Sequence, residues 1–320
     1  MIDGSKMEFE KVLLHLSNTN ERLITQHLYA LSDMTHKDFE HFRQVWPGIE
    51  PGRRRLVIRN LVELTEHSFE VNFDPIFLLA LADEVSDIRA AAIDGLWENE
   101  DQALIGPLVH LLRADESPAV RAAAAIALGR FVLLGELEEI DRAPAMLAEE
   151  ALLETIRHRE EEMEVRRRAV EVIAYSGEAG VREIIEAAYY DEDEKMQASA
   201  LFAMGRSADP YWCKLLLKEL DNPNPELRFE AARACGELEA SVAVSRLAQM
   251  AFDDPDREVQ EAAVWALGHI GGRQARQALE ACYESDDEFL SQVAADVLDN
   301  MDLLGDNVSI PLYEDFDEGE

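Results

Sequence analysis

Basic residues are scarce in this chain: 30 Lys and Arg stand against 66 Asp and Glu, a formal net charge of −36 over 320 residues. Affinity for a phosphate backbone comes from clustered Lys and Arg that displace counterions, so nucleic acid is excluded as an expected partner. An anionic membrane surface is excluded on the same ground. Cysteine is also rare. Cys213, Cys235 and Cys282 lie far apart with no C-x-x-C, which removes a disulfide framework and a zinc knuckle. No uninterrupted apolar run approaches the roughly 18 residues of a membrane span. The N-terminus, M-I-D-G-S-K-M-E-F-E, lacks the basic start and apolar stretch of a signal peptide. A cytoplasmic protein is the expectation. Aromatics are few at 7%, yet apolar residues make up 48%, a composition suited to helices that approach closely through Ala and Leu.

What the chain has instead is a repeat. The stretch P-A-V-R-A-A-A-A-I-A-L-G at 118–129 has counterparts starting at residues 86, 164, 195, 226, 258 and 289. One anchor position holds Arg89, Arg121, Arg166, Gln197, Arg228, Gln260 and Ser291, at steps of 32, 45, 31, 31, 32 and 31 residues. So regular a period marks a stacked array, because one unit cannot bury its apolar face alone. Counted from the anchor, apolar residues fall at −1, +3, +6 and +7, as in Val120, Ala124, Ala127 and Leu128 or Val259, Ala263, Ala266 and Leu267. At about 100° per residue these positions share one helix face. A second helix precedes each anchor helix, at 74–82, 101–113, 143–157, 179–190, 210–220, 241–252 and 273–284, after turns rich in Asp, Asn and Pro. The predicted fold is all-α, a right-handed α-solenoid of about nine antiparallel helix pairs. Gly129, Gly205, Gly236 and Gly268, at +8, suit a helix end or a close helix crossing.

Three regions are expected. Residues 1–73 form divergent helical repeats, with two short helices in 7–32 split at Ser17–Asn20 and a second pair at 36–46 and 51–66. Residues 74–304 form the regular solenoid. Residues 305–320 are an acidic tail with six acids and no Lys or Arg, expected to be disordered; the alternative is that Ile310, Leu312, Tyr313 and Phe316 dock it in a groove. Arg53, Arg54, Arg55 and Arg59 form the one basic cluster, read either as a solvated face offsetting nearby acids or as a docking patch. Arg54 is a candidate anchor 35 residues before Arg89, although no apolar residue precedes it. The 45-residue step carries about fourteen extra residues, placed at 131–146, either as a binding loop on one face or as a longer helix with a neutral loop.

These motifs resemble the HEAT repeat in its short bacterial form, the phycobilisome-lyase-type repeat. The resemblance covers 74–304 well and 1–73 weakly. Its most specific mark is an Asp six residues before the anchor Arg, which in that family bridges neighbouring repeats; Asp83–Arg89 and Asp115–Arg121 have this spacing. The spacing degrades to Glu160–Arg166, Asn222–Arg228, Asp191–Gln197 and Asp254–Gln260, and is gone at Ser285–Ser291. The resemblance implies a structural ladder through Asp83, Arg89, Asp115, Arg121, Arg166 and Arg228. Physically, a turn Asp accepts from the next repeat's side chain and fixes the stacking angle.

Some proteins with similar repeats are enzymes. Deoxyhypusine hydroxylases hold a di-iron centre through His-Glu dipeptides, and none of the eight histidines (15, 27, 36, 41, 67, 110, 158, 269) is followed by Glu. That activity is excluded, and no metal or cofactor is expected. DNA glycosylases with such repeats conflict with the charge, and no P-loop, G-x-S-x-G or G-x-G-x-x-G occurs. A bilin lyase-like or chromophore-handling enzyme stands as the alternative on fold analogy alone, with no catalytic residue to carry over. The leading reading comes from positions +1, +5 and +8, which point off the core face. They hold Trp97, Ile126, Phe202, Phe229 and Trp265 among Asp94, Glu171, Arg233, Glu261, Asp296 and Asp299. Large apolar residues rimmed by acids are what a groove for a basic, amphipathic segment presents. The competing reading buries them between repeats. The expectation is a non-enzymatic scaffold or adaptor whose acidic concave groove takes a basic protein partner.

Overall fold

The computed structural model describes residues 9–32, 34–68 and 70–305, in two compact units divided between Gly177 and Glu178. The first unit contains α1 (Phe9–Ser17), α2 (Thr25–Leu28), α3 (His36–Val45), α4 (Pro51–His67) and α5 (Asp74–Ala80). It continues with α6 (Ser86–Gly95), α7 (Ile105–Ala114), α8 (Pro118–Glu136), α9 (Arg142–Arg157) and α10 (Met163–Ile173). The second contains α11 (Val181–Tyr189), α12 (Glu194–Arg206), α13 (Cys213–Glu219), α14 (Pro225–Glu237), α15 (Val244–Asp253), α16 (Arg257–Ile270), α17 (Gly272–Tyr283) and α18 (Glu288–Gly305). Among the described residues there is no strand, and each unit is an α-solenoid of stacked helix pairs. The expected region boundary at 73/74 is not where the units divide, since α4 packs on α6 as later anchor helices pack on their successors. The acidic tail beyond Gly305 lies outside the described residues.

Local chemistry sets the helix starts. Pro51, Pro118 and Pro225 occupy first turns, where the missing N–H costs nothing. Thr35, Glu50, Asp193, Asn224 and Asp256 each accept a first-turn N–H through the side chain. Within the units the anchor helices stack in order, α4 on α6, α6 on α8 and α8 on α10, then α12 on α14, α14 on α16 and α16 on α18. The −1, +3 and +7 residues are buried at each anchor from Arg89 to Gln260, as at Val120, Ala124 and Leu128, while Leu298, at +7 from Ser291, is half-buried.

The repeated glycine is a crossing point. A Cβ on Gly205 would stand 2.9 Å from the Cα of Ala234, and one on Gly236 would stand 2.8 Å from the Cα of Ala266. None of the four has a positive φ, so the left-handed helix-end reading does not apply. The extra residues expected at 131–146 are mostly helix and not a long loop. α8 runs on to Glu136, burying Phe131, Val132 and Leu134, and α9 begins at Arg142. By length and composition α8 is long and apolar enough to cross a membrane, but it packs against α6, α7, α9 and α10. Cys235 and Cys282 are buried, and burial pushes their thiols up to about 12 and about 11, with Cys213 adding to the first.

A ladder of side chains joins successive turns. Arg89 donates from Nη1 to the carbonyl of Asp83 at 2.8 Å, six residues back, while its Nε and Nη2 hold the Asp115 carboxylate at 2.7 Å each. Arg228 repeats this with the carbonyl of Asn222 and the carboxylate of Asp254. Arg121 takes the carbonyl of Asp115 and the carboxylate of Glu161, so the ladder acid after the long step is Glu161 and not Glu160. Arg166 reaches only the carbonyl of Ile156, at 3.5 Å. The six-residue spacing therefore marks a bond to the backbone, and the ion pair runs to the following turn, 26 residues on in two of the three steps. Each turn residue also accepts the N–H two positions on: Asp115 from Ser117, Asn222 from Asn224, Asp254 from Asp256. Where the anchor is Gln, the ladder position of the next turn is neutral as well: Gln197 is followed by Asn222 and Gln260 by Ser285. Each Gln keeps the bond to the carbonyl six residues back, and Gln260 also accepts from Arg257, which pairs with Asp287.

Two arginines of the basic cluster belong to this framework rather than to a docking patch. Arg54 is the anchor of its repeat, 3.4 Å from Asp83 and 2.7 Å from Glu84. Arg53 fills the −1 site that other repeats give to an apolar residue. It is buried because its guanidinium donates to the carbonyls of His15, Leu16 and Glu21 at and beyond the end of α1. A cation there satisfies orphan carbonyls and the negative helix end together. Arg55 pairs with Asp87, and Arg59 is exposed.

Candidate functional site

The off-core row divides by unit. In the first unit α4, α6 and α8 enclose a groove of about 490 Å³. α4 supplies Val62 and Glu66, α6 and the residues just after it supply Ile93, Asp94 and Trp97, and α8 supplies Ala123, Ile126, Ala127 and Arg130. Trp97 is 46% exposed and Ile126 49%, unusual for side chains of that size flanked by a packed core. Small neighbours explain the opening. Ala123 and Ala127 on α8 leave the space that larger residues would close.

Three of the expected residues, Asp94, Trp97 and Ile126, therefore come together. Glu66, Val62 and Arg130 join them without having been singled out in the sequence. No hydrogen bond or ion pair among the described residues reaches the Asp94 or Glu66 carboxylate. The packed groove walls desolvate Asp94, and the charge of Glu66 adds to this, so its carboxyl titrates above the ordinary range. The other carboxyls whose values move, Glu50, Asp115, Glu161, Asp209, Glu219, Asp254 and Asp287, all move down. Arg130 is the cation among the lining residues. Its Nη1 donates to the Trp97 carbonyl, while Nε and Nη2 are buried without a hydrogen-bond partner. Desolvation lowers its value, against the pull of Glu100 and Asp74.

Glu171, expected on an acidic rim, is instead buried and paired with Arg168 at 2.9 Å. Its neighbours on α10 leave it no open face, and the ion pair offsets the cost of burial. In the second unit the aromatics are half-buried. Trp265 lies under the Arg233 guanidinium at 3.7 Å and stacks on His269 at 3.6 Å, with its ring edge over Gly236. Phe202 sits under Arg206, and Phe229 is half-buried on α14. Of the three, Trp265 packs between repeats, while Phe202 and Phe229 stay half-buried. Glu261 and Asp296 are exposed, and Asp296 accepts from Gln292. Among the described residues no group of three His, Cys, Asp or Glu is placed to hold a metal.

Paired helices at a period near 31 residues, tied by an Arg–Asp ladder, define an α-solenoid repeat protein. The HEAT-repeat family profile matches residues 74–150 and 213–299, slightly more than half of the sequence, and the chain belongs to that family. No curated protein matches the sequence. Among solved structures, the CpcE–CpcF complex of phycocyanin lyase from Nostoc is 17% identical, covering 94% of this chain and 96% of that one, with a TM-score of 0.45. The Escherichia coli protein YibA is 16% identical, with 93% and 99% covered and a TM-score of 0.42. Human deoxyhypusine hydroxylase is 17% identical, with 93% and 97% covered and a TM-score of 0.36. No residue role is transferred from likenesses of this level.

Proposed function

We propose that this HEAT-repeat protein is a non-enzymatic scaffold that holds a segment of a basic protein partner in the groove between α4, α6 and α8. One observation carries the reading: Trp97 and Ile126 stand open across a groove that also presents the carboxylates of Asp94 and Glu66, beside Arg130. Apolar anchors in a concave site supply most binding energy, and complementary charge supplies orientation and rate. The net charge of −36 favours a basic partner. Neither Trp97 nor Ile126 is buried, so replacing them should leave the fold intact.

The test is affinity capture from the native host with the full chain, a Trp97→Ala/Ile126→Ala variant and a Tyr190→Ala control on an exposed residue of the other unit. The expected result is a basic partner held by the wild type and the control, lost by the double variant, and weakened at moderate salt. A partner retained by the double variant overturns the groove as its site.

A further inference from the structure

Away from the groove, one histidine is buried. His15 lies in the last turn of α1 and is the buried histidine among the described residues. Its Nε2 accepts the Ile24 N–H at 3.1 Å, from the residue that opens α2. An acceptor at Nε2 assigns the ring proton of the neutral imidazole to Nδ1, which lies 3.6 Å from the Glu21 carboxylate. On α2 the His27 ring meets this imidazole edge to face, with centroids 4.5 Å apart, and the His27 Nδ1 is buried without a hydrogen-bond partner. From α4, Arg53 donates to the His15 carbonyl at 2.9 Å. One residue thus ties α1, the α1–α2 connection, α2 and α4 together. The charged and titratable groups that face it are Glu21, His27 and Arg53.

We propose that His15 is an acid-sensitive latch: a second proton on its ring breaks the Ile24 bond and releases α1 and the start of α2 from α4. Protonation turns Nε2 into a donor, and two donors cannot share a 3.1 Å contact. The new charge also stands near Arg53, with only the mostly exposed Glu21 to meet it. Burial first, then the charges of His27 and Arg53, lowers the His15 value against the pull of Glu21. The closed form therefore binds the proton less tightly than the opened one. The latch holds fully above the ordinary histidine value, near 6.5, and weakens as pH falls below it toward the depressed folded value. One contact of α1 has the opposite sign. His41 on α3 lies 3.7 Å from Glu10, but both are exposed and water screens the pair. Release bares apolar surface, since α1 keeps Val12, Leu13 and Leu16 out of water and packs on α3 and α4. The latch goes beyond the scaffold reading and does not depend on it.

Amide hydrogen exchange of the full chain, resolved along the sequence and corrected for the intrinsic effect of pH, reads the latch. Between about pH 7.5 and about pH 5.5, residues 9–31 are expected to lose protection by about five- to tenfold, while α14 and α16 keep theirs. His15→Gln sets an amide oxygen at the reach of Nε2 and gains no proton, so protection should stay level across the same range. His41→Gln should leave the loss in place. Protection of 9–31 that does not change with pH in the wild type overturns the latch. So does a loss that persists in His15→Gln, or one that disappears in His41→Gln. Should His15→Gln open the segment at both pH values, the His15 ring-proton resonance of the wild type decides. A midpoint below the ordinary histidine value, with the Ile24 amide signal moving in step, supports the latch. A midpoint at or above that value overturns it.

Discussion

Arg228→Ala should cost about 3–5 kcal/mol, read as an earlier midpoint in denaturant. Arg228 and Asp254 are 8% and 9% exposed, and two bonds of 2.7–2.8 Å join them. Removing the guanidinium strands a desolvated carboxylate and also releases the Asn222 carbonyl, at 2.9 Å. The double variant Arg228→Gln/Asp254→Asn copies the neutral step at Gln197 and Asn222, and should recover more than half of the loss. A double variant no better than the single one would show that the cost lies in lost packing and not in the stranded charge. Acid gives a second reading of the same pair. Burial pushes the Asp254 carboxyl up, but the bonds from Arg228 and from the Asp256 N–H, with the charges of Arg228 and Arg246, outweigh it and leave it below the usual range. A depressed folded value contributes stability above the unfolded value, near 4, and loses it as pH falls through the folded one. The difference between wild type and the neutral double variant should therefore narrow in acid.

Gly236→Ala is the second large effect, a loss of about 1–3 kcal/mol from overpacking. The new methyl would lie 2.8 Å from the Cα of Ala266 and 2.7 Å from the Trp265 ring. A backbone atom cannot rotate away, so α14 and α16 must separate along their length. Gly106→Ala is the counterpart. Gly106 lies in the first turn of α7 with nothing within 4 Å of its Cβ position, and the change should stabilise by about 0.5–1 kcal/mol. If both substitutions proved neutral, the close crossing would not be a packing constraint.

The helix pairs were legible in the sequence because their causes are local. Apolar spacing, Pro at first turns and Asp or Asn at caps placed the second-unit helices to within about three residues, the largest gaps being the 3₁₀ turns at Pro210–Trp212 and Ser241–Ala243 that lead into α13 and α15. The ladder was half legible. Asp115 and Asp254 each stand six residues before one anchor and 26 after another, and spacing alone cannot say which bond the carboxylate makes and which the carbonyl makes. Arg53 was opaque for a related reason. Its partners are carbonyls of His15 and Leu16, far back in the chain, and a hydropathy pattern carries no record of backbone acceptors. For the off-core aromatics the deciding residues sit on the next helix. Trp265 meets Gly236 and Arg233 and is covered, whereas Trp97 faces Ala123 and Ala127 and stays open. Glu66 and Arg130 gave no signal in a chain with 66 acids and a repeat full of arginine.

The alternation of ionic and neutral ladder steps gives the second unit an uneven response to heat. Hydration of charged groups becomes less favourable as temperature rises, so the penalty for keeping an ion pair dry shrinks on warming. The Arg228–Asp254 step gains from that change, whereas the pairs at the Gln197 and Gln260 steps, Arg206–Glu237 and Arg257–Asp287, are more exposed and have less to gain. Repeats joined only to their neighbours can open one interface at a time. Warming thus turns a near-uniform stack into a clamp at its centre with looser joints on either side, and a single melting temperature averages over both.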